Sequence, residues 1–406
     1  MNAANKNGTN TAKAPQALAG VVVLEIASAP GACFTASLLA DFNATVYVCE
    51  TLPKGSAMRA LEPREWWAIA ARNKKSVAVD PKAAGADEAI KALLSLAHVI
   101  VTDIAPSERK NHPWLKGVDA MPRKPLIVDV LPTGADRPDA WPWSKRADMA
   151  AALTGMMALT GEANSVPVQP EFPLAEYLSG ALAALRAVAE LRRAGVTRSQ
   201  PQELIVPMHQ AVNRMIEWQV PIATAMGRPE LRDGNTFPMN FSISNMFLTK
   251  DGKYIAVSAA NDATAAKLLE MIGGPSLRDD PRFSTTQARL EGLHEIYAIL
   301  DKWMGDRTSA EVNDTAEKAG VVLGQIYDAD DIAKEAHLKA RGNILEMRSA
   351  EGTKVAMPGI IPRVEGLSVS IRHLGPALGA DTGEALAAGG LAAGAIERLR
   401  NAGAIA

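Results

Sequence analysis

Three stretches decide the fold: Gly20-Val21-Val22-Val23-Leu24-Glu25-Ile26, the turn Ala27-Ser28-Ala29-Pro30-Gly31, and Ala44-Thr45-Val46-Tyr47-Val48-Cys49-Glu50. The first is short, apolar and β-branched beside a glycine, which reads as a buried strand. Between the turn and the third stretch, residues 32–42 place Ala36, Leu39 and Ala40 at helical spacing. The third stretch is a second strand, ending in an acid. A strand, a helix and a strand in about thirty residues make one right-handed parallel crossover.

The pattern continues outward. Residues 76–79, 98–102 and 126–130 read as further strands, and 86–96 as a helix between two of them. Alternating strands and helices imply a parallel sheet covered on both faces. The turn after the first strand lacks the GxGxxG spacing through which a pyrophosphate approaches the backbone. The fold therefore reads as Rossmann-like without support for nicotinamide binding. Residues 149–160 and 178–193 read as helices, 204–206 as a buried strand, and 209–225 as one helix. Arg228-Pro229 through Gly234-Asn235 reads as a linker. Lys250-Asp251-Gly252-Lys253 between apolar runs signals a hairpin. Helices at 261–272, 288–304 and 309–319 complete a smaller α+β domain. β-structure at 343–348 and 353–357 and a short helix near 396–401 close the chain. The expected division is a disordered tail (1–17), the first part of a large α/β domain (18–226), a small α+β domain (227–340), and a segment returning to the large domain (341–406).

Composition narrows the function. Of the 406 residues, 48% are hydrophobic, which excludes wholesale disorder. Lys and Arg total 43 against 45 Asp and Glu, so the basic surplus of a nucleic-acid binder is absent. Two cysteines, Cys33 and Cys49, and six scattered histidines give no metal-ligand spacing, so no metal is expected. With no run of eighteen apolar residues and no apolar leader, the expectation is a cytoplasmic protein without membrane contact.

Glu176 is the one candidate for chemistry, an acid at the mouth of the long apolar helix. From the residues alone, the stronger reading is a solvated partner of the helix dipole. Catalysis needs a desolvated, activated carboxylate.

Several stretches together resemble the class III CoA-transferases, the formyl-CoA and carnitine CoA-transferase family. They are Val23-Leu24-Glu25 through Asp41-Phe42-Asn43-Ala44-Thr45-Val46, Arg72-Asn73-Lys74-Lys75-Ser76, Asp148 with Leu153-Thr154-Gly155-Met156-Met157, Asp233-Gly234-Asn235, Pro281-Arg282-Phe283, and His337-Leu338-Lys339-Ala340-Arg341-Gly342. The resemblance covers about residues 18 to 400. It implies an interlocked dimer in which CoA moves from an acyl-CoA to a free carboxylic acid. A protein carboxylate attacks the thioester, forms a mixed anhydride, and exchanges acyl groups through an enzyme-bound thioester. CoA is then a substrate, and no cofactor is bound permanently. The family's nucleophilic aspartate falls at Glu176, one methylene longer.

The positions that the resemblance places against CoA also depart from the family: Pro30, Gly31, Asp103, Ile104 and Ser107. Asp103 stands where the family has an asparagine, and like charge would oppose CoA phosphates. Ala147 before Asp148 removes the racemase histidine. Three readings follow, in order of preference. In the first, the chain is the degenerate, mainly structural subunit of a heterodimeric or heterotetrameric CoA-transferase, paired with an active paralogue. The two-subunit enzyme acting on succinyl-CoA and benzylsuccinate in anaerobic aromatic degradation is the pattern it suggests. In the second, it is an active homodimer with Glu176 as nucleophile. In the third, it is a non-enzymatic acyl-CoA-binding or scaffold protein. For an aromatic acceptor acid, Met156, Met157, Phe237, Met239 and Phe241 are the apolar candidates, equally well explained as core.

Overall fold

The computed structural model describes residues 17–134, 147–194, 202–229, 232–235, 243–349, 352–365 and 369–406. The chain divides into two compact units. One comprises residues 1–156, 170–218 and 340–406; the other comprises 157–169 and 219–339.

The first unit opens with β1 (Val22–Ile26), α1 (Pro30–Asp41) and β2 (Thr45–Thr51). Then come α2 (Glu65–Ala70), β3 (Lys75–Val79), α3 (Ala86–Leu96), β4 (Val99–Thr102) and β5 (Leu126–Leu131). Two short helices, α4 (Ala147–Leu153) and α5 (Met156–Leu159), the latter opening the first stretch of the second unit, stand where one was expected. Gly155 between them has φ +82°, which an α-helix cannot carry through. The long α6 (Leu174–Ala194) leads to β6 (Gln202–Pro207) and α7 (Met208–Met215).

These six strands form one parallel sheet in the order β3-β2-β1-β4-β5-β6. The order reverses between β1 and β4, the point where doubly wound sheets open a crevice at their C-terminal ends. Both faces are covered, so β4 and β5 are wholly buried. β6, expected to be buried, is the edge strand and only half-buried. On one face, Leu24, Val77, Ile100 and Ile127 pack with Ile90 and Leu93 of α3. On the other lie α1 and α6, which also pack directly on each other.

The second unit begins its main run with α8 (Gln219–Met226), so the single helix expected over 209–225 is two. Its hairpin is β7 (Ile243–Leu248) and β8 (Tyr254–Ala259), with Leu248 opposite Tyr254 and Gly252 of the turn at φ +77°. Next come α9 (Asp262–Arg278), α10 (Thr286–Glu291), α11 (Leu293–Gly305) and α12 (Ser309–Ala319). β9 (Leu323–Gln325), not anticipated, pairs with β8. The core centres on Phe247, Ile255, Leu268, Leu269, Ile296 and Leu300. Two short helices, α13 (Ala329–Lys334) and α14 (Ala336–Ala340), lead out of it.

The chain returns to the first unit through the hairpin β10 (Ile344–Arg348) and β11 (Lys354–Pro358), then α15 (Thr382–Ala388) and α16 (Ala393–Asn401). This return closes the β3 edge. The Ser76 N–H donates to Asp381 (2.8 Å) and the Ala78 N–H to Thr382 Oγ1 (3.0 Å). Val79 bridges Ile405 antiparallel. An open edge would otherwise leave these amides free to pair with another chain.

Candidate active site

α1 and α6 bring the sequence candidates together. Pro30 is the first residue of α1, where its missing N–H costs nothing. Gly31 follows it. A Cβ on Gly31 would lie 3.0 Å from the Glu176 carbonyl oxygen and 3.3 Å from Glu176 Cα. Gly180 makes the reciprocal contact, since a Cβ there would lie 2.5 Å from the Gly31 carbonyl oxygen. The Thr35 hydroxyl lies 3.0 Å from the Gly31 carbonyl and 3.1 Å from that of Gly180, and ties the helices at this point. Glu176 thus sits in the first turn of α6, buried, with its backbone pressed against the start of α1. The helix begins four residues earlier than the apolar spacing suggests. Burial sets this carboxylate apart from the solvated dipole partner that the residues alone favour.

Asp103, just past β4, reaches into the same turn. Its Oδ2 accepts from the Ser28 N–H (2.8 Å), the Ala29 N–H (2.6 Å) and the Ser28 hydroxyl (3.0 Å). The backbone donors at the switch point, the usual place for an anion, therefore already hold a carboxylate. Asp103 and Ile104 line a crevice of about 200 Å³ at the ends of β1 and β2, with His112 and Trp114 among its walls. Burial pushes the His112 imidazole below its usual pKa, although Asp103 and Glu108 pull the other way. The Trp114 Nε1–H donates to Thr51 Oγ1 at 3.2 Å. Ser107 lies in an exposed 3-10 turn and does not line the crevice.

The Arg72–Ser76 run is a framework. Arg72 donates to both Asp41 oxygens (3.3 and 2.7 Å), and Asn73 donates to Asp41 at 2.9 Å. Lys74 is fully buried and pairs with Glu25 at 2.6 Å while donating to the Cys33 carbonyl at 2.9 Å. Burial raises the Glu25 carboxyl above its ordinary range, against the pull of Lys74. Glu50 accepts from Arg59 (2.6 and 2.7 Å) and from Ser76 (2.5 Å). These buried pairs lock β1, β2 and β3 to the helix that carries Gly31.

Sequence reading missed the aromatic residues around this point. The Tyr177 ring packs on Phe34, with centroids 4.7 Å apart. Burial, and then the charge of Glu176, raise the Tyr177 hydroxyl pKa. Both residues, with Met58, Trp66 and Ile69, line a cavity of about 220 Å³. In a chain only 5% aromatic, Tyr177 directly after Glu176 was the available signal. Of the apolar candidates, Phe237, Met239 and Phe241 lie outside the described residues, as do the side chains of Ala147 and Asp148.

The first unit thus holds a buried glutamate at a helix start and a crevice at the switch point of a doubly wound sheet. The chain belongs to CoA-transferase family III, whose profile spans residues 18–382. It is a CoA-transferase, as the sequence resemblance implies. It is 27% identical over 378 residues to the succinyl-CoA–D-citramalate CoA-transferase of Chloroflexus aurantiacus, covering 90% of this chain and 92% of that one. It is also 27% identical to the succinyl-CoA–L-malate CoA-transferase beta subunit of the same organism, covering 91% and 93%. A crystal structure of a CaiB/BaiF family protein from Brucella suis shares the fold. Its TM-score is 0.78 at 21% identity, with 91% of this chain and 98% of that one covered.

Proposed function

We propose that this chain moves CoA from succinyl-CoA to a carboxylic acid, with the Glu176 carboxylate as the group that carries the acyl unit. The observation behind this reading is the placement of Glu176: buried, in the first turn of α6, held against Gly31. Burial removes the water that would blunt the carboxylate as a nucleophile. A Glu176 oxygen attacks the thioester carbonyl and CoA leaves as thiolate, so that a mixed anhydride remains. The thiolate attacks the glutamyl carbonyl and frees the donor acid, leaving a glutamyl-CoA thioester. The acceptor carboxylate attacks that thioester, and the returning thiolate completes acyl-CoA. The donor assignment rests on the succinyl-CoA enzymes among the relatives.

One observation favours the other reading, preferred from the sequence, of a structural subunit paired with an active paralogue: Asp103 fills the amides that an incoming phosphate would use. The beta-subunit relative gives that arrangement a precedent.

The experiment is the same for both. The chain is incubated with succinyl-CoA, alone and with its candidate paralogue, quenched with hydroxylamine, and digested for mass analysis. Under the proposed function the modification falls on the peptide holding Glu176. Glu176→Gln then lowers turnover by at least a thousandfold, and Glu176→Asp retains it. A Glu176→Gln chain that leaves the turnover of the complex intact establishes the structural-subunit reading instead.

A further inference from the structure

We infer that the cavity beside Tyr177 is the acceptor pocket and that it selects acids with an uncharged, phenyl-sized tail over dicarboxylates. The inference rests on Glu176 as the acyl-carrying group and adds the class of acid. Pro30 and Tyr177 form part of the cavity wall, and each is the chain neighbour of a residue in the Gly31–Glu176 contact. The cavity wall thus includes the chain neighbour of Glu176 on α6 and the chain neighbour of Gly31 on α1, next to the backbone contact that joins the two helices. Its volume, about 220 Å³, exceeds the roughly 150 Å³ of an apolar cavity that holds benzene. A phenyl ring with two or three further carbons fits that space.

The lining chemistry gives the selectivity. Phe34, Met58, Trp66 and Tyr177 offer ring faces and a thioether, surfaces that suit another aromatic group. The charged groups at the cavity, Asp41 and Arg72, are spent on each other, and Arg72 Nη1–H donates to the Pro358 carbonyl at 2.7 Å. The Ser37 hydroxyl lies 2.6 Å from the Ala70 carbonyl and 2.9 Å from that of Cys33. A second carboxylate on the ligand would have to break the Asp41 pair or stay unpaired among apolar groups, both costly.

In each probe an amide replaces the reacting carboxyl, so that this end carries no charge for Glu176 to repel. The full chain is titrated calorimetrically with 3-phenylpropanamide and with succinamate, which keeps its distal carboxylate. The expected result is at least tenfold tighter binding of the phenyl amide. Ala70→Leu, which fills the cavity, should weaken that binding at least tenfold, and Ile69→Phe should do the same if the first variant fails to fold. Quenching of intrinsic fluorescence that is lost in Trp66→Phe locates the probe without any filling substitution. Equal or tighter binding of succinamate, no binding of the phenyl amide, or indifference to filling overturns the inference. A transfer assay separates the two levels. CoA delivered to dicarboxylates but not to 3-phenylpropanoate refutes the pocket and leaves Glu176 standing. Selective binding of the phenyl amide with no transfer to any acid refutes the role of Glu176 and leaves only the cavity's preference for a phenyl group, not its acceptor role.

Discussion

At the scale of single residues, Asp103 governs what the switch-point crevice accepts. Its carboxylate gathers three donors of the Ser28–Ala29 turn onto one oxygen, which fixes the turn but leaves a negative charge in the crevice. An asparagine there keeps an oxygen to accept from both amides and removes the charge. Asp103→Asn should therefore tighten CoA binding about tenfold, equivalent to about 1.4 kcal/mol, with little change in melting temperature. Calorimetric titration of both proteins with CoA checks this, and unchanged or weaker affinity in the variant would sink it. The charge of Asp103 was legible in the sequence. Its hydrogen bonds, to a turn 75 positions away, were not, because only the β1–β4 adjacency brings them together.

At the scale of elements, the α1–α6 contact positions Glu176, and Gly180 is the residue that permits it. Replacing a helical glycine by alanine ordinarily stabilises a helix by about 0.5–1 kcal/mol. At Gly180 the new methyl would meet the Gly31 carbonyl, a backbone atom that cannot swing aside, and overpacking of that kind costs about 1–3 kcal/mol. Gly180→Ala should lower the melting temperature by several degrees and reduce transfer activity. Gly394→Ala in α16, where a Cβ meets nothing within 4 Å, should raise the melting temperature slightly. Thermal unfolding of the two variants side by side tests the sign of each. The strands around this contact were legible because parallel strands covered on both faces read as unbroken apolar runs, as at Val99–Thr102. The break between α7 and α8 was legible too, in Pro221, which a helix running through 209–225 would not tolerate in its interior and which here falls in the first turn of α8. The cavity was hidden, because Phe34, Met58, Trp66 and Tyr177 come from separate segments whose spacing along the chain says nothing of their convergence.

At the scale of the whole molecule, the surface of α6 bears on how the chain assembles. Ala183, Ala184, Ala187 and Leu191 of this helix are buried, while Leu185 is 68% exposed and Val188, three residues on, is 38% exposed. A helix that buries one apolar stripe and presents another has a second surface to satisfy. The outer face of the β7–β8 hairpin adds Met246, Leu248 and Tyr254, all exposed. These are two separate apolar surfaces, one on each unit, and from them we expect an assembly of two or more chains, either identical or paralogous. Sedimentation at micromolar concentration should show no stable species at the 43.0 kDa of a single chain, with the paralogue supplied if the chain alone is insoluble. Leu185→Glu with Val188→Lys should move the distribution toward smaller species and lower the melting temperature with it, because assembly stabilises the folded chain by mass action. A compact, fully folded 43.0 kDa monomer in the unmodified chain would refute the assembly outright. If instead the double variant assembles normally, α6 is excluded as the contact and the hairpin face is the surface to alter next.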